Sequence, residues 1–284
     1  MNKNVKVYLI LCGLSFLIEI MTAVVRKLFG FPITAVISFG IFFLLIVSVN
    51  YLTNKKYKIK FLLFSLLSGI LIIQLPIRLF TFSESLISLP EFIFHVLGLV
   101  SGYIFLNFKT IYFKLGLAFF SVILNVFIIV YGYPLWLNKL NYGTFSGEVF
   151  IKNDQKIMAY DADGKKILIG EKPYTVLDFW FSSCKPCFDG FPEFQEVYLK
   201  YKPNKSIAFY AINTPMPNDK IGDSFHLIKS LNYTFPVLQA KDGNIAKKML
   251  VVKYPTLILI DKEGNIIFKG EMQGLKKKLT NLGL

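Results

Sequence analysis

The chain has 284 residues, of which 54% are hydrophobic, and a mean hydropathy of +0.52, which is too apolar for an ordinary soluble protein. Its formal net charge of +14 divides as 11 Lys/Arg against 3 Asp/Glu in residues 1–137 and 21 against 15 in residues 138–284. Neither half carries a basic stripe interleaved with aromatics, so the pattern argues against a nucleic-acid partner. With only Cys12, Cys184 and Cys187 and no histidine cluster, no metal site is expected either.

The composition breaks sharply near Asn138, which implies two domains: a helical membrane domain over 1–137 and, beyond a polar linker at 138–147 that holds Gly143 and Gly147, a soluble domain over 148–284. A helix needs about 20 mostly apolar residues to cross a bilayer. Five stretches meet this, namely 5–25, 33–52, 59–79, 92–108 and 111–136, with the lipid bilayer as their surroundings. Pro32 and Pro90 precede the second and fourth, where a missing N–H costs nothing. Tyr131, Tyr133 and Trp136 close the fifth, as in an interfacial aromatic belt.

With the N-terminus inside, the inner segments hold Lys3, Lys6, Lys55, Lys56, Lys58, Lys60, Lys109 and Lys114, and the outer ones hold Arg26, Lys27, Arg78 and Lys139. The positive-inside rule then places the C-terminal domain outside the cytoplasm, on the periplasmic or extracytoplasmic face of the cell (inner) membrane. Reading Val5–Val25 as a cleaved signal peptide, with Lys3 and Lys6 as its n-region, leaves the domain on the same side. Glu19 and His95 are ionisable residues within apolar runs, and local pairing with Arg26 and Glu91 is expected to satisfy them. Cys12 is alone in this half and reads as a packing residue.

In the second half, Ile157–Tyr160, the turn Asp161-Ala162-Asp163-Gly164 and Lys166–Ile169 form a hairpin pattern. Tyr174–Phe181 is a continuous apolar run suited to a buried central strand. It leads through Ser182 and Ser183 into Cys184-Lys185-Pro186-Cys187 and a helical stretch to about Tyr201. Ser206–Ile212 reads as a strand, Asp219–Leu231 as a helix, and Thr256–Asp261 with Ile266–Gly270 as a closing hairpin. Lys276, Lys277 and Lys278 lie on a solvated face of a terminal helix. This alternation predicts an α/β fold with a mixed central sheet flanked by helices.

The chemistry follows from the start of the helix. Unpaired N–H groups and the macrodipole at a helix N-terminus stabilise an anion, so Cys184 is the candidate thiolate nucleophile. Cys187, three residues on and on the same helical face, is placed to resolve a mixed disulfide. Pro186 suits the first turn, and Lys185 adds a nearby positive charge.

The run Leu177-Asp178-Phe179-Trp180-Phe181-Ser182-Ser183-Cys184-Lys185-Pro186-Cys187, then Phe191-Pro192-Glu193-Phe194, and later Tyr254-Pro255-Thr256-Leu257-Ile258-Leu259-Ile260-Asp261 with Glu263-Gly264, resembles the thioredoxin superfamily and within it the TlpA/ResA-like thiol–disulfide oxidoreductases. The resemblance covers roughly residues 145–284. It implies a cis-proline at Pro255 facing the dithiol, a helix-kinking Pro192, a buried acid at Asp178 that takes the proton from Cys187, and a tryptophan, Trp180, packed under the site. Tyr254 and Thr256, which flank the cis-proline, are site-tuning positions by the same resemblance. Ser183 departs from the aromatic residue many relatives carry there. Gly190 stands where some ResA-like proteins place an acidic residue in a cavity. Tyr254 is bulkier than the usual Val or Thr.

The expected function is a membrane-anchored thiol–disulfide oxidoreductase that reduces protein disulfides outside the cytoplasm, with no cofactor beyond its own Cys184–Cys187 pair. Its partners would be protein thiol or disulfide substrates and a separate membrane electron donor. Two alternatives stand beside this reading. One is a disulfide oxidase or isomerase. The other is a helical-bundle protein that uses the thioredoxin domain as a binding module.

Overall fold

The computed structural model describes residues 2–153, 157–217, 222–241 and 243–284. It divides into two compact units, Met1–Trp136 and Leu137–Leu284.

The first unit is helical. α1 (Lys3–Leu52) is broken at Gly30, whose φ of 76° lies in the left-handed region, with Pro32 two residues on and the Thr34 hydroxyl donating to the Gly30 carbonyl at 2.7 Å. The break reverses the chain. Glu19 lies 2.8 Å from the His95 ring and Phe42 stacks against that same ring at 5.1 Å, although a straight helix would hold residues 19 and 42 about 35 Å apart. The first two predicted spans are therefore the two arms of one helical hairpin. α2 (Ile59–Phe80), the single turn α3 (Phe82–Ser85) and α4 (Leu89–Asn107) follow, then α5 (Ile111–Phe127), which continues through a π-turn at Ile128–Gly132 into α6 (Tyr133–Tyr142). Among the described residues, four stretches, Lys3–Leu52, Ile59–Phe80, Phe82–Asn107 and Ile111–Tyr142, are long and apolar enough to cross a membrane.

Leu11, Phe42, Ile46, Leu62, Leu66 and Leu99 form the core of this bundle. Small residues bring its backbones together: a Cβ added at Gly98 would strike the Phe39 backbone, and one at Gly102 would strike Ile46 and Phe43.

Several expectations for this half differ from the structure. Glu19 pairs with His95, not with Arg26, and Arg26 makes a two-pronged bridge to Glu91 at 2.8 Å on both arms. Residues two turns apart on one helix are about 10 Å distant, whereas the neighbouring helix supplies partners at contact distance. Gln74 donates to Glu19 and Arg78 donates to Gln74, so α2 completes the network. The Tyr133 hydroxyl accepts from the Glu91 N–H at 3.2 Å, and the Trp136 ring N–H donates to the Leu86 carbonyl at 2.8 Å. The predicted linker from Asn138 is helical as far as Tyr142, where Gly143, with φ 81°, ends it.

The second unit is built on one eight-stranded mixed sheet. Its strands are β1 (Glu148–Ile151), β2 (Ile157–Tyr160), β3 (Lys166–Ile169), β4 (Tyr174–Trp180), β5 (Ile207–Asn213), β6 (Val237–Gln239), β7 (Thr256–Asp261) and β8 (Ile266–Gly270). Their order is β1-β8-β7-β4-β5-β6-β2-β3, with β4 parallel to β5 and antiparallel to β7. Helices α7 (Lys185–Tyr201), α8 (Asp223–Ser230), α9 (Asn244–Lys248) and α10 (Met272–Asn281) complete it.

Side chains alternate across β4. Val176 and Trp180 join the cluster that includes Phe191, Phe194 and Val197 of α7, while Leu177 and Phe179 join the cluster on the opposite face. Asp178 is thereby placed on the α7 side, in register with Leu257 of β7 and Ala211 of β5. α7 buries Cys187, Phe191, Phe194, Val197 and Tyr201, the spacing of one helical face. The predicted helix over Asp219–Leu231 is seen as α8, and residues 219–221 lie outside the described residues.

Substituting Gly98 by Val is expected to lower the stability of the full chain in detergent by at least about 2 kcal/mol, because backbone rather than a flexible side chain blocks the added methyls. Gly116→Ala, which meets open space in the middle of α5, should not lower the melting temperature, and thermal unfolding by circular dichroism compares the two.

Candidate active site

The site grows out of the β4–α7 junction. β4 ends at Trp180, and Cys184 takes the N-cap position of α7, its φ and ψ of −83° and 88° still non-helical. Its sulfur does what a capping oxygen would do: Sγ accepts from the Cys187 N–H at 3.3 Å. Pro186 sits in the first turn, where no intrahelical N–H is required. Cys184 and Cys187 are joined as a disulfide with Cα atoms 5.3 Å apart. The two sulfurs differ little in depth, since Cys184 is 3% exposed and Cys187 fully buried.

Beside the disulfide lies a cavity of about 310 Å³ whose lining includes Cys187, Pro186, Gly190, Asp178, Tyr254 and Pro255. The Tyr254–Pro255 peptide is cis. Thr256 is buried, its hydroxyl donating to the Lys253 carbonyl at 2.6 Å, which ties down the turn that presents Pro255. The Tyr254 ring meets Phe181 edge to face at 5.2 Å, and Trp180 meets Phe191 and Phe188 the same way at 5.3 and 6.1 Å, forming an aromatic floor.

Asp178 is the electrostatic outlier. It is only 4% exposed and its Oδ1 has no hydrogen-bond partner among the described residues. Withdrawal from water pushes its carboxyl up to about 8, so it is chiefly protonated at neutral pH. Lys185, by contrast, lies out in solvent, paired with Asp189 at 2.9 Å, and exerts little influence on the buried sulfurs. Pro192 lies inside α7, one turn beyond Cys187.

The structure thus brings Cys184, Cys187, Asp178, Trp180, Pro186, Tyr254, Pro255 and Thr256 together and leaves Lys185 outside the group. It adds residues the sequence did not single out. Tyr142, Glu271 and Met272 also line the cavity, beside Glu193 of the Phe191–Phe194 run, and the Tyr142 hydroxyl donates to Glu271 Oε1 at 3.3 Å. A dithiol at a helix N-terminus, backed by a neutral buried acid, is a chemistry for exchanging disulfides.

Comparison with known proteins agrees with this geometry. Residues 155–269 match the AhpC/TSA family. Over 138 residues, 45% of this chain and 78% of the relative, the chain is 32% identical to the thiol–disulfide oxidoreductase ResA of Bacillus thuringiensis subsp. konkukian. The chain belongs to the ResA family of thiol–disulfide oxidoreductases. Membership rests on its C-terminal half and makes the protein an oxidoreductase with a thioredoxin-like domain. A second relative, the sporulation thiol–disulfide oxidoreductase A of Bacillus subtilis, is 31% identical over 107 residues, 37% of this chain and 63% of its own length. Among solved structures, StoA of Bacillus subtilis is similar at 26% identity over 45% of this chain and 96% of its own, with a TM-score of 0.38. The exposed lipoprotein thioredoxin of Streptococcus pneumoniae is similar at 24% identity over 46% and 100%, with a TM-score of 0.40.

The raised carboxyl of Asp178 has a consequence for stability whose sign is fixed. The unfolded chain ionises this group near its ordinary 3.8, while the folded protein holds the proton until about 8. Between those values the folded state binds more protons, so this residue's contribution to stability falls as pH rises through that window. Asp178→Asn should therefore stabilise the oxidised protein relative to wild type, by a few kcal/mol in order of magnitude at pH 8.5 and by much less at pH 4.5. Thermal unfolding at both pH values, followed through Trp180 fluorescence in a Trp136→Phe background, measures the difference.

Proposed function

We propose that the chain is a membrane-anchored thiol–disulfide oxidoreductase that reduces disulfides of protein substrates on the extracytoplasmic side of the membrane. The observation that carries the exchange chemistry is the Cys184–Cys187 pair at the N-terminus of α7, set against the buried Asp178 carboxyl and the cis-Pro255 turn. Anchoring is supported by the four long apolar stretches and by the small-residue contacts between them. The outward side is supported by the excess of lysines in the segments that the hairpin of α1 places with the N-terminus. The reducing direction follows the resemblance to TlpA/ResA-like proteins.

The reaction then runs in two exchanges. The Cys184 thiolate, stabilised by the helix N–H groups, attacks a substrate disulfide; a Cys184–substrate bond forms and one substrate sulfur leaves as thiolate. Cys187 gives its proton to the Asp178 carboxylate and attacks Cys184 Sγ. The Cys184–Cys187 bond forms, the second substrate sulfur leaves with the electron pair, and two electrons have passed from the dithiol to the substrate. A separate membrane donor restores the dithiol, since Cys12 is the one thiol in the first unit and a single sulfur cannot form a relaying disulfide.

Two linked measurements test this. In intact cells, a membrane-impermeant maleimide should label Cys184 without prior reduction; labelling only after reduction would turn the assignment to an oxidase, and labelling only after lysis would refute the outward topology. Cys187→Ser should accumulate a mixed disulfide with protein substrates on non-reducing gels, while Cys184→Ser accumulates none.

A further inference from the structure

The mechanism above leaves two groups unused at the wall of the active-site cavity. Tyr142 and Glu271 both lie outside residues 155–269, the span shared with the AhpC/TSA family. Tyr142 is buried, the last residue of α6, and Glu271 is exposed, between β8 and α10. They meet through the hydrogen bond from the Tyr142 hydroxyl to Glu271 Oε1. Both line the cavity into which the unpartnered Asp178 carboxyl faces, and the Tyr142 hydroxyl lies within electrostatic reach of that carboxyl.

We infer that Tyr142 and Glu271 are positioning residues that form the proton outlet of Asp178, the path by which its buried carboxyl empties to solvent before it accepts the proton of Cys187. The inference rests on the proposed role of Asp178 as that acceptor.

The need for an outlet is a matter of proton count. Asp178 holds a proton at neutral pH, and a protonated carboxyl cannot take another from Cys187. Among the groups facing the cavity, Glu193 is already engaged by Lys276 at 2.7 Å, and Lys253 is an exposed cation that accepts nothing. Glu271 is the carboxylate that both touches a cavity hydroxyl and reaches water. The transfer balances: the Asp178 proton passes through a cavity water to Tyr142 Oη as the Tyr142 O–H proton passes to Glu271. Glu271 then releases it to solvent. Tyr142 ends as it began, and one proton has moved from Asp178 to bulk.

The test is a single-turnover reaction of the reduced full-length chain, in detergent, with a chromogenic aromatic disulfide. The first coloured thiolate reports attack by Cys184 and the second reports resolution by Cys187, so the two steps are read separately from pH 5.5 to 9.5. In Tyr142→Phe and in Glu271→Gln the second phase should slow by at least about tenfold at pH 6–7 with the first phase unchanged. The gap should close above about pH 9, where Asp178 is ionised before mixing and needs no outlet. Glu271→Asp should restore most of the rate. A second phase that superimposes on wild type at every pH, while Asp178→Asn alters it, overturns the outlet and leaves the role of Asp178 standing. A slowing equal at all pH values overturns it in favour of a structural role. If Asp178→Asn leaves the second phase unaltered, the reading of Asp178 falls and the outlet falls with it.

Discussion

A carboxyl in the middle of a fully buried strand is the constraint on which the second unit turns. β4 is apolar on both faces, as a central strand must be, yet its fifth residue is Asp178, flanked by Leu257 and Ala211. No hydrogen bond satisfies Oδ1, so the group remains in the fold by remaining neutral. A neutral acid is tolerable there only if water is kept scarce and a cavity gives it somewhere to face. Cys187, the turn at Pro255 and the Tyr142–Glu271 pair supply the walls of that cavity. The cost of burying Asp178 and the chemistry of the site are thus one fact seen from two sides.

The helical unit meets a similar difficulty in the opposite way. Glu19, Glu91 and His95 are all buried, and here each carboxylate is paired: Glu19 with His95 and Gln74, Glu91 with Arg26. Removing one partner from such a network strands the other charge, so the network ties the two arms of α1 to α2 and α4 and makes loss of any one partner costly. Asp178 has no such partner and is neutral; the bundle's charges have partners and are kept. That contrast is what suits Asp178, on the proposed mechanism, to proton traffic rather than cohesion.

Much of the second unit was legible because its signals are local. The hairpin at Ile157–Ile169, the apolar run at Tyr174, the cysteines at a helix start and the strands at Thr256 and Ile266 each announce themselves within ten or so residues, and they fall where the periodicity put them. β1 and β6 escaped notice because, unlike the equally short β2 and β3, neither is flanked by a hairpin turn that marks it. In the first half, the apolar stretches were plain, but the partners of Glu19 and Arg26 were not. Those partners lie 76 and 65 residues away, on a helix whose neighbours only tertiary packing decides. Tyr142 and Glu271 were missed for the same reason, being 129 residues apart with no motif around either.

The two ends of the dithiol are held in opposite electrostatic surroundings, and this sets the direction of charge through the exchange. Cys184 caps α7, so a negative charge on its sulfur is met by the Cys187 N–H and by the helix dipole. Cys187, fully buried, lines the same cavity as Asp178, in surroundings that penalise charge on either group. Charge is therefore stable at Cys184 between turnovers and only transient behind it. A deep sulfur that can ionise only when a neighbouring carboxyl has been emptied will not attack until a mixed disulfide has formed above it, because only then does attack discharge the anion. On the proposed mechanism, burial of Asp178 orders the two steps, and the rim of the cavity, more than the dithiol itself, governs the pace of the second.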